Sequence, residues 1–204
     1  ALMRAHAGGI VTLRGDVSNP DDAARVAADT RRAFGRIDGV IHAAGVTRDA
    51  YVLRKSVDDL HAVAAAKFAG ALHLDRATAG DPLDLFVAFS SLAGAVGNAG
   101  QGDYAFANAH LDAFVAARET LRAAGLRHGR ACSIGWPLWE EGGMQLTVDQ
   151  VAALTARTGL APMPTVEGLR QFEDTLRSDR VHDVVLYGIP GKIDAYLDTL
   201  QGRR

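Results

Sequence analysis

A chain of 204 residues, 48% hydrophobic and 23% charged, has the length and composition of one globular domain with a sizeable core. Its formal net charge of −2 gives no general attraction to nucleic acid or to an anionic membrane, and no apolar run reaches the roughly 20 residues of a membrane span. The single cysteine, Cys132, excludes a disulfide framework and a multi-cysteine metal site, and the opening ALMRAHAGG lacks the apolar core of a signal peptide, so a cytoplasmic setting is expected.

In chain order, GIVTLRGDV at 9–17 alternates in part, with Val11, Leu13 and Val17 apolar, and reads as a strand. A helix follows. Asn19 can cap it, Pro20 suits its first position, and Asp21 and Asp22 complement its positive end. Ala23, Val26, Thr30 and Phe34 share a face, and Gly35 ends the helix. GVIHAAGV, 39–46, is an apolar run of strand length. In SVDD, Ser56 and Asp59 form a capping box for a second helix, on which Leu60, Val63, Lys67, Ala71 and Leu74 share a face. LDLFVAFSS, 83–91, is apolar on both faces, the pattern of a central parallel strand. The glycine-rich AGAVGNAGQGD reads as a loop into a helix whose first turn holds Tyr104. RACSIGWPLW, 130–139, reads as a strand, TVEGLRQFEDTLRS as a helix and HDVVLYG as a last strand. The alternation implies a single α/β domain over 1–204, a doubly wound parallel sheet flanked by helices. Segment 140–163 holds Gly142, Gly143 and Gly159 and follows the C-terminal end of a strand, where such sheets bind ligands; a mobile substrate lid is expected there.

Ser90 and Ser91 end the buried strand 83–91 and so face the ligand crevice. Tyr104 and Asn108, one turn apart, share a helix face with Leu111 and Val115. Lys67, one of only three lysines beside Lys55 and Lys192, lies on an apolar stripe. Singly, each has an ordinary explanation: a capping serine, a snorkelling lysine, a tyrosine whose hydroxyl meets water. Together they converge on one crevice. His42, His61, His73 and His110 lie on different elements without metal-ligand spacing, and Glu140 and Glu141 read as solvated charges, so no metal site is expected.

The run FVAFSSLAGAVGNAGQGDYAFANAHLDAF resembles the active-site segment of the ketoreductase domains of modular polyketide synthases, members of the short-chain dehydrogenase/reductase superfamily. Ordinary members carry a lysine four residues after the tyrosine. This sequence has Asn108 there and Lys67 upstream in AAAKFAGALHL, the exchange seen in polyketide and animal fatty acid synthase ketoreductases. GDVSNPDD, RIDGVIHAAGV and SIGWPLWEEGGM match in order, the last most similar to trans-acyltransferase assembly lines. The resemblance implies a Rossmann-like fold and NADPH-dependent reduction of a β-ketoacyl thioester, held on the phosphopantetheine of an acyl carrier protein, to the β-hydroxyacyl thioester. By the same resemblance Tyr104 donates the proton and Ser91 hydrogen-bonds the ketone oxygen. Lys67 lowers the tyrosine pKa and holds the nicotinamide ribose, and Asn108 holds a water or the lysine. Asp16 and Val17 would border the adenine. Ala43, Ala44 and Gly45 would allow close backbone approach, and Ile134, Gly135 and Trp136 would lie near the nicotinamide. Asp49, Gln101, Trp136 and Met144 would meet the substrate and govern stereochemistry.

Two departures from that family matter. No GxGxxG-type phosphate loop is present, since GLRHGR and GGMQ neither follow a strand nor open a helix in the required way. The expected sheet therefore lacks its first strand-helix-strand unit and has an unpaired edge. The implied partners are neighbouring synthase domains, including that N-terminal ketoreductase segment, with neither nucleic acid nor membrane among them. After the HAAG strand, Thr47-Arg48-Asp49 keeps only the last residue of the Leu-Asp-Asp found in one stereochemical class, and Val96 stands where the other class carries tryptophan. The aspartate points to the B-type, D-configured hydroxyl. The alternatives are a non-catalytic structural or docking module of the same fold, and a free-standing short-chain reductase of a small ketone.

Overall fold

The computed structural model describes residues 9–200 and Gly202. Four parallel strands form one sheet in the order β1-β2-β3-β4: β1 Gly39–His42, β2 Leu85–Ser91, β3 Arg130–Trp136 and β4 His182–Val184. Helices α1 Pro20–Phe34, α2 Val57–Ala64, α3 Gly70–Ala77, α4 Leu92–Val96, α5 Gly102–Ala123, α6 Val148–Thr158, α7 Thr165–Arg177 and α8 Pro190–Leu200 connect and flank them.

Period-two side-chain alternation in β2 and β3 builds the two halves of the core. Phe86, Ala88 and Ala131 face Leu111 and Val115 of α5, with Ala71 of α3 and Ala27 of α1 behind. Val87, Cys132 and Ile134 face the opposite way, toward Met163 and Phe172. Helices therefore cover both faces of β2 and β3, the Rossmann-like arrangement the alternation implied. At β1 the second face is open: Ile41, level with Val87, is 54% exposed.

Local signals place the ends of several helices. Asn19 accepts from the amides of Asp21 and Asp22 at 2.8 and 3.4 Å, and Gly35 closes α1 at φ 82°. Ser56 and Asp59 form the expected capping box of α2. From α2 the helix runs on through a wide, π-type turn, Ala65–Ala69, into α3; Lys67 sits in that turn. Such turns insert a residue and recur at functional sites. Val63, Lys67 and Ala71 are buried as the spacing implied, whereas Leu60 is 42% exposed.

Three expectations are corrected. Residues 9–17 form no strand. Alternation alone does not make a strand; an extended segment also needs a partner for its amides and carbonyls, and no described strand pairs with this one. Val11 is 50% exposed as a result. Phe34, placed on the packing face of α1, is half exposed, and the small Ala23 and Ala27 make that face. The glycine-rich run after Ser91 contains α4, capped by Ser91, whose Oγ accepts from the Ala93 amide at 3.2 Å. Segment 140–163 contains α6, which opens on a Thr147–Gln150 capping box. Helix α8 completes an outer cluster in which Leu92, Leu160 and Ile193 pack together.

Candidate active site

Position along the sheet delivers the polar residues to one place. Ser90 and Ser91 lie at the C-terminal end of β2, level with Gly135 and Trp136 of β3. Tyr104 and Asn108 project from the first turns of α5 and are 7% and 0% exposed. Asn108 Nδ2 donates to the Tyr104 carbonyl at 2.8 Å, while its Oδ1 is buried without a partner. Gly94 lets α4 pack close against this turn of α5, since a Cβ there would stand 3.1 Å from the Ala109 amide nitrogen and from Asn108 Cβ.

Lys67 is 4% exposed, and its Nζ donates to the Phe89 carbonyl at 2.6 Å. Burial pulls its pKa down to about 8, against an opposing pull from the Asp112 carboxylate. Gly45 lies against it, for a Cβ at Gly45 would be 2.7 Å from Lys67 Cε. The expectation that a cation lowers the Tyr104 pKa is not met in this arrangement. Burial raises it, and the hydrogen-bonding side chains of Ser91 and Asn108 pull it only partly back. The phenol is thereby kept protonated at neutral pH, the state an acid needs before it donates.

Two cavities meet at these residues. The larger, about 630 Å³, is lined by Ser91, Tyr104, Asp49, Gln101, Trp136 and Met144 among others, so all four proposed substrate-facing residues border it. Leu154, Arg157 and Tyr196, which the sequence did not single out, also line it, as does Val96. The smaller, about 290 Å³, is lined by Ala43, Lys67, Phe89, Ser90, Ser91 and Tyr104, with Trp136 and Met144 shared. Phe89 and Trp136 stand edge to face there, ring centres 5.4 Å apart. Apolar rings beside an ammonium and a hydroxyl fit a nicotinamide and its ribose.

The other sequence-selected residues lie outside both cavities. Asp16 is exposed and accepts from the Ser18 amide and hydroxyl, bonds that lower its pKa. Val17 packs near Gly70, and its carbonyl meets His73 Nδ1 at 3.0 Å. Ala44, Gly45, Asn108, Ile134 and Gly135 line neither space; Ile134 is fully buried in the core beside Met163. A further polar set lies along α5, running from buried Ser90 to exposed His182. Ser90 Oγ donates to the Asn108 carbonyl at 3.4 Å, Asp112 Oδ1 lies 3.4 Å from His182 Nδ1, and Ser133 Oγ lies 2.8 Å from the same nitrogen. Asp112 carried a legible signal, since it continues the Tyr104–Asn108 spacing by four.

A parallel sheet whose central strand ends in serine, beside a buried helix carrying tyrosine and asparagine and a buried lysine, defines a Rossmann-like domain of the short-chain reductase type. The KR domain family model matches residues 2–141. Polyketide synthase ThaG of Burkholderia thailandensis is 45% identical over 186 residues, 91% of this chain. Polyketide synthase PksN of Bacillus subtilis is 37% identical over 178 residues, 87% of this chain. The chain spans 3% of the length of each. The crystal structure of a ketoreductase domain from the bacillaene assembly line superposes with a TM-score of 0.92 at 36% identity, over 96% of this chain and 47% of that one. The chain belongs to the KR domain family, the ketoreductase domains of polyketide synthases.

Proposed function

We propose that this chain reduces a β-ketoacyl thioester to the β-hydroxyacyl thioester during polyketide assembly, with NADPH as reductant and the substrate borne on the phosphopantetheine of an acyl carrier protein. The observation that carries this reading is the junction of two cavities at Ser91 and Tyr104, one fitted to a nicotinamide and the other wide enough for an acyl thioester. Family membership and relatives named as polyketide synthases support the substrate class.

Ala43, Lys67 and Tyr104 hold the nicotinamide end of the cofactor. Bound there, NADPH supplies the hydride. Tyr104 and Ser91 orient the ketone by hydrogen bonds to its oxygen, and those bonds strengthen as negative charge develops on it. Tyr104 gives up its proton to that oxygen. Lys67, charged at neutral pH, holds the nicotinamide ribose, and Asn108 on the adjoining turn supports reprotonation of the tyrosinate left behind. Asp49, held at 2.8 Å by Gln101 Nε2, stands on the substrate side and directs a D-configured hydroxyl.

Segment 140–163 acts as the lid. Its ends are fastened together, the Met163 amide donating to the Leu138 carbonyl at 2.7 Å and the Glu140 amide to the Met163 carbonyl at 3.0 Å, and its residues 143–146 border the larger cavity. Neighbouring synthase domains and a cytoplasmic setting belong to the same reading. Among the described residues no helix is long and apolar enough to cross a membrane.

The test is oxidation of NADPH, and of NADH in parallel, by the full-length protein with a short β-ketoacyl thioester, followed by chiral analysis of the product. Turnover preferring NADPH and giving the D-alcohol is expected. A folded protein that binds NADPH and leaves the thioester unreduced would overturn the reading, and an L-configured product would overturn the stereochemical assignment.

A further inference from the structure

Lys55 has no place in the chemistry above, yet its charged side chain is largely buried. Its side chain is 7% exposed and its Nζ lies 2.6 Å from Asp103 Oδ2, itself 2% exposed. The same ammonium donates to the Arg48 carbonyl. Burying two opposite charges is expensive and stabilises a fold little compared with apolar packing, so such a pair calls for another reason to be there.

The position of the pair supplies that reason. Asp103 immediately precedes Tyr104, and its other oxygen, Oδ1, accepts from the Tyr104 amide at 2.9 Å. Lys55 ends the loop that follows β1 and carries Thr47 and Asp49 into the larger cavity. That loop has little apolar anchorage of its own, since Tyr51, Val52 and Leu53 are 71%, 76% and 99% exposed. Polar fasteners hold it instead, and three of them end on residues 100–103: the Ala50 amide to the Gly100 carbonyl at 2.9 Å, Gln101 to Asp49 at 2.8 Å, and Lys55 to Asp103. The ion pair is the buried one and the one tied to the Tyr104 backbone.

We propose that the Lys55–Asp103 pair is a positioning clasp, fixing the 47–55 loop and Asp49 at a set distance from Tyr104, and thereby deciding which face of the substrate carbonyl is presented. The stereochemical part rests on the reductase reading; the mechanical part does not. Lys55 and Asp103 touch no reacting atom and act through Asp49 and Tyr104.

Two variants of the full-length protein test the clasp. K55M/D103L replaces both charges by apolar groups of similar reach, an exchange that buried ion pairs often tolerate without loss of fold. Asp103→Asn keeps the size and the acceptor for the Tyr104 amide while removing the charge. Amide hydrogen exchange, read by mass spectrometry and independent of turnover, should quicken at least tenfold across 47–56 in the double variant and about threefold in Asp103→Asn, with exchange in β2 and β3 unchanged. With a β-ketoacyl thioester, the ratio of the two hydroxyl configurations should fall at least tenfold in the double variant while kcat stays within about fivefold of wild type. Unaltered exchange across 47–56 in both variants would overturn the clasp. A loosened loop with an unaltered product ratio would overturn its stereochemical role. If the unmodified protein reduces no thioester, the reductase reading fails, and the exchange data still decide the clasp.

Discussion

Replacing Lys67 by methionine should make the protein more stable at neutral pH while abolishing its chemistry. Methionine keeps the apolar stem and removes the ammonium from a site where the side chain is 4% exposed. Burial takes this lysine from its ordinary 10.5 down to about 8. At about 1.4 kcal/mol per tenfold change in proton affinity, that amounts to about 3 kcal/mol of strain on the charged form. The lost bond to the Phe89 carbonyl, 2.6 Å long, returns about 1–2 kcal/mol of it, because a buried acceptor is left unpaired. A net gain of about 1–2 kcal/mol at pH 7 is expected. The folded pKa is the lower of the two, so between pH 8 and 10.5 the unfolded chain holds more protons and wild-type stability rises with pH. The strain is complete below pH 8 and is relieved as pH climbs through that window. Urea unfolding of both proteins at pH 7 and pH 10 measures the difference, and groups common to both cancel. The gap favouring methionine should close or reverse at pH 10. A variant less stable than wild type at pH 7, or a gap unchanged by pH, would refute the reasoning.

Two further outcomes follow from close contacts and burial. Gly94→Ala should cost about 1–3 kcal/mol in urea unfolding, because its Cβ would press at 3.1 Å on the Ala109 amide nitrogen, and backbone yields little; the same variant should impair turnover through Asn108. His42 is 2% exposed, and burial lowers its pKa to about 4 from 6.5, so the unfolded state takes up the proton first. Wild-type stability should therefore fall as pH drops from 6.5 to 4, and His42→Gln should flatten that slope in urea unfolding across the same range.

The frame was legible in the alternation of apolar strands and capped helices, and the candidate site in polar residues set among them. Tyr104, Asn108 and Lys67 stand at helical spacings beside apolar residues, where a polar side chain is conspicuous, and Ser91 ends an unbroken apolar strand. Periodicity pointed all four toward one crevice, and Ser91, Tyr104 and Lys67 line the smaller cavity while Asn108 lies behind it. Periodicity did not show the wide turn around Lys67, because a π-type insertion leaves no mark in a pattern read at 3.6 residues per turn. Helix α6 did announce itself through the Thr147–Gln150 capping box, a signal outweighed by the surrounding glycines. Helix α8 also had readable signs, with Pro190 at its start and Ile193, Tyr196 and Leu197 on one face. Residues 9–17 show the opposite error, since pairing is a property of two segments and one segment's alternation cannot supply it. The Lys55–Asp103 pair was invisible for a similar reason: it joins residues that only the fold brings together.

The central claim is that Tyr104 protonates a ketone as hydride reaches it from a nicotinamide. The most direct measurement compares Tyr104→Phe with wild type in the full-length protein, following NADPH oxidation with a β-ketoacyl thioester and NADPH affinity by fluorescence. The substitution removes one oxygen and keeps the ring in its packing beside Ala107 and Val63. The account predicts at least a hundredfold loss of kcat with cofactor affinity and fold retained. A variant turning over within tenfold of wild type would contradict it.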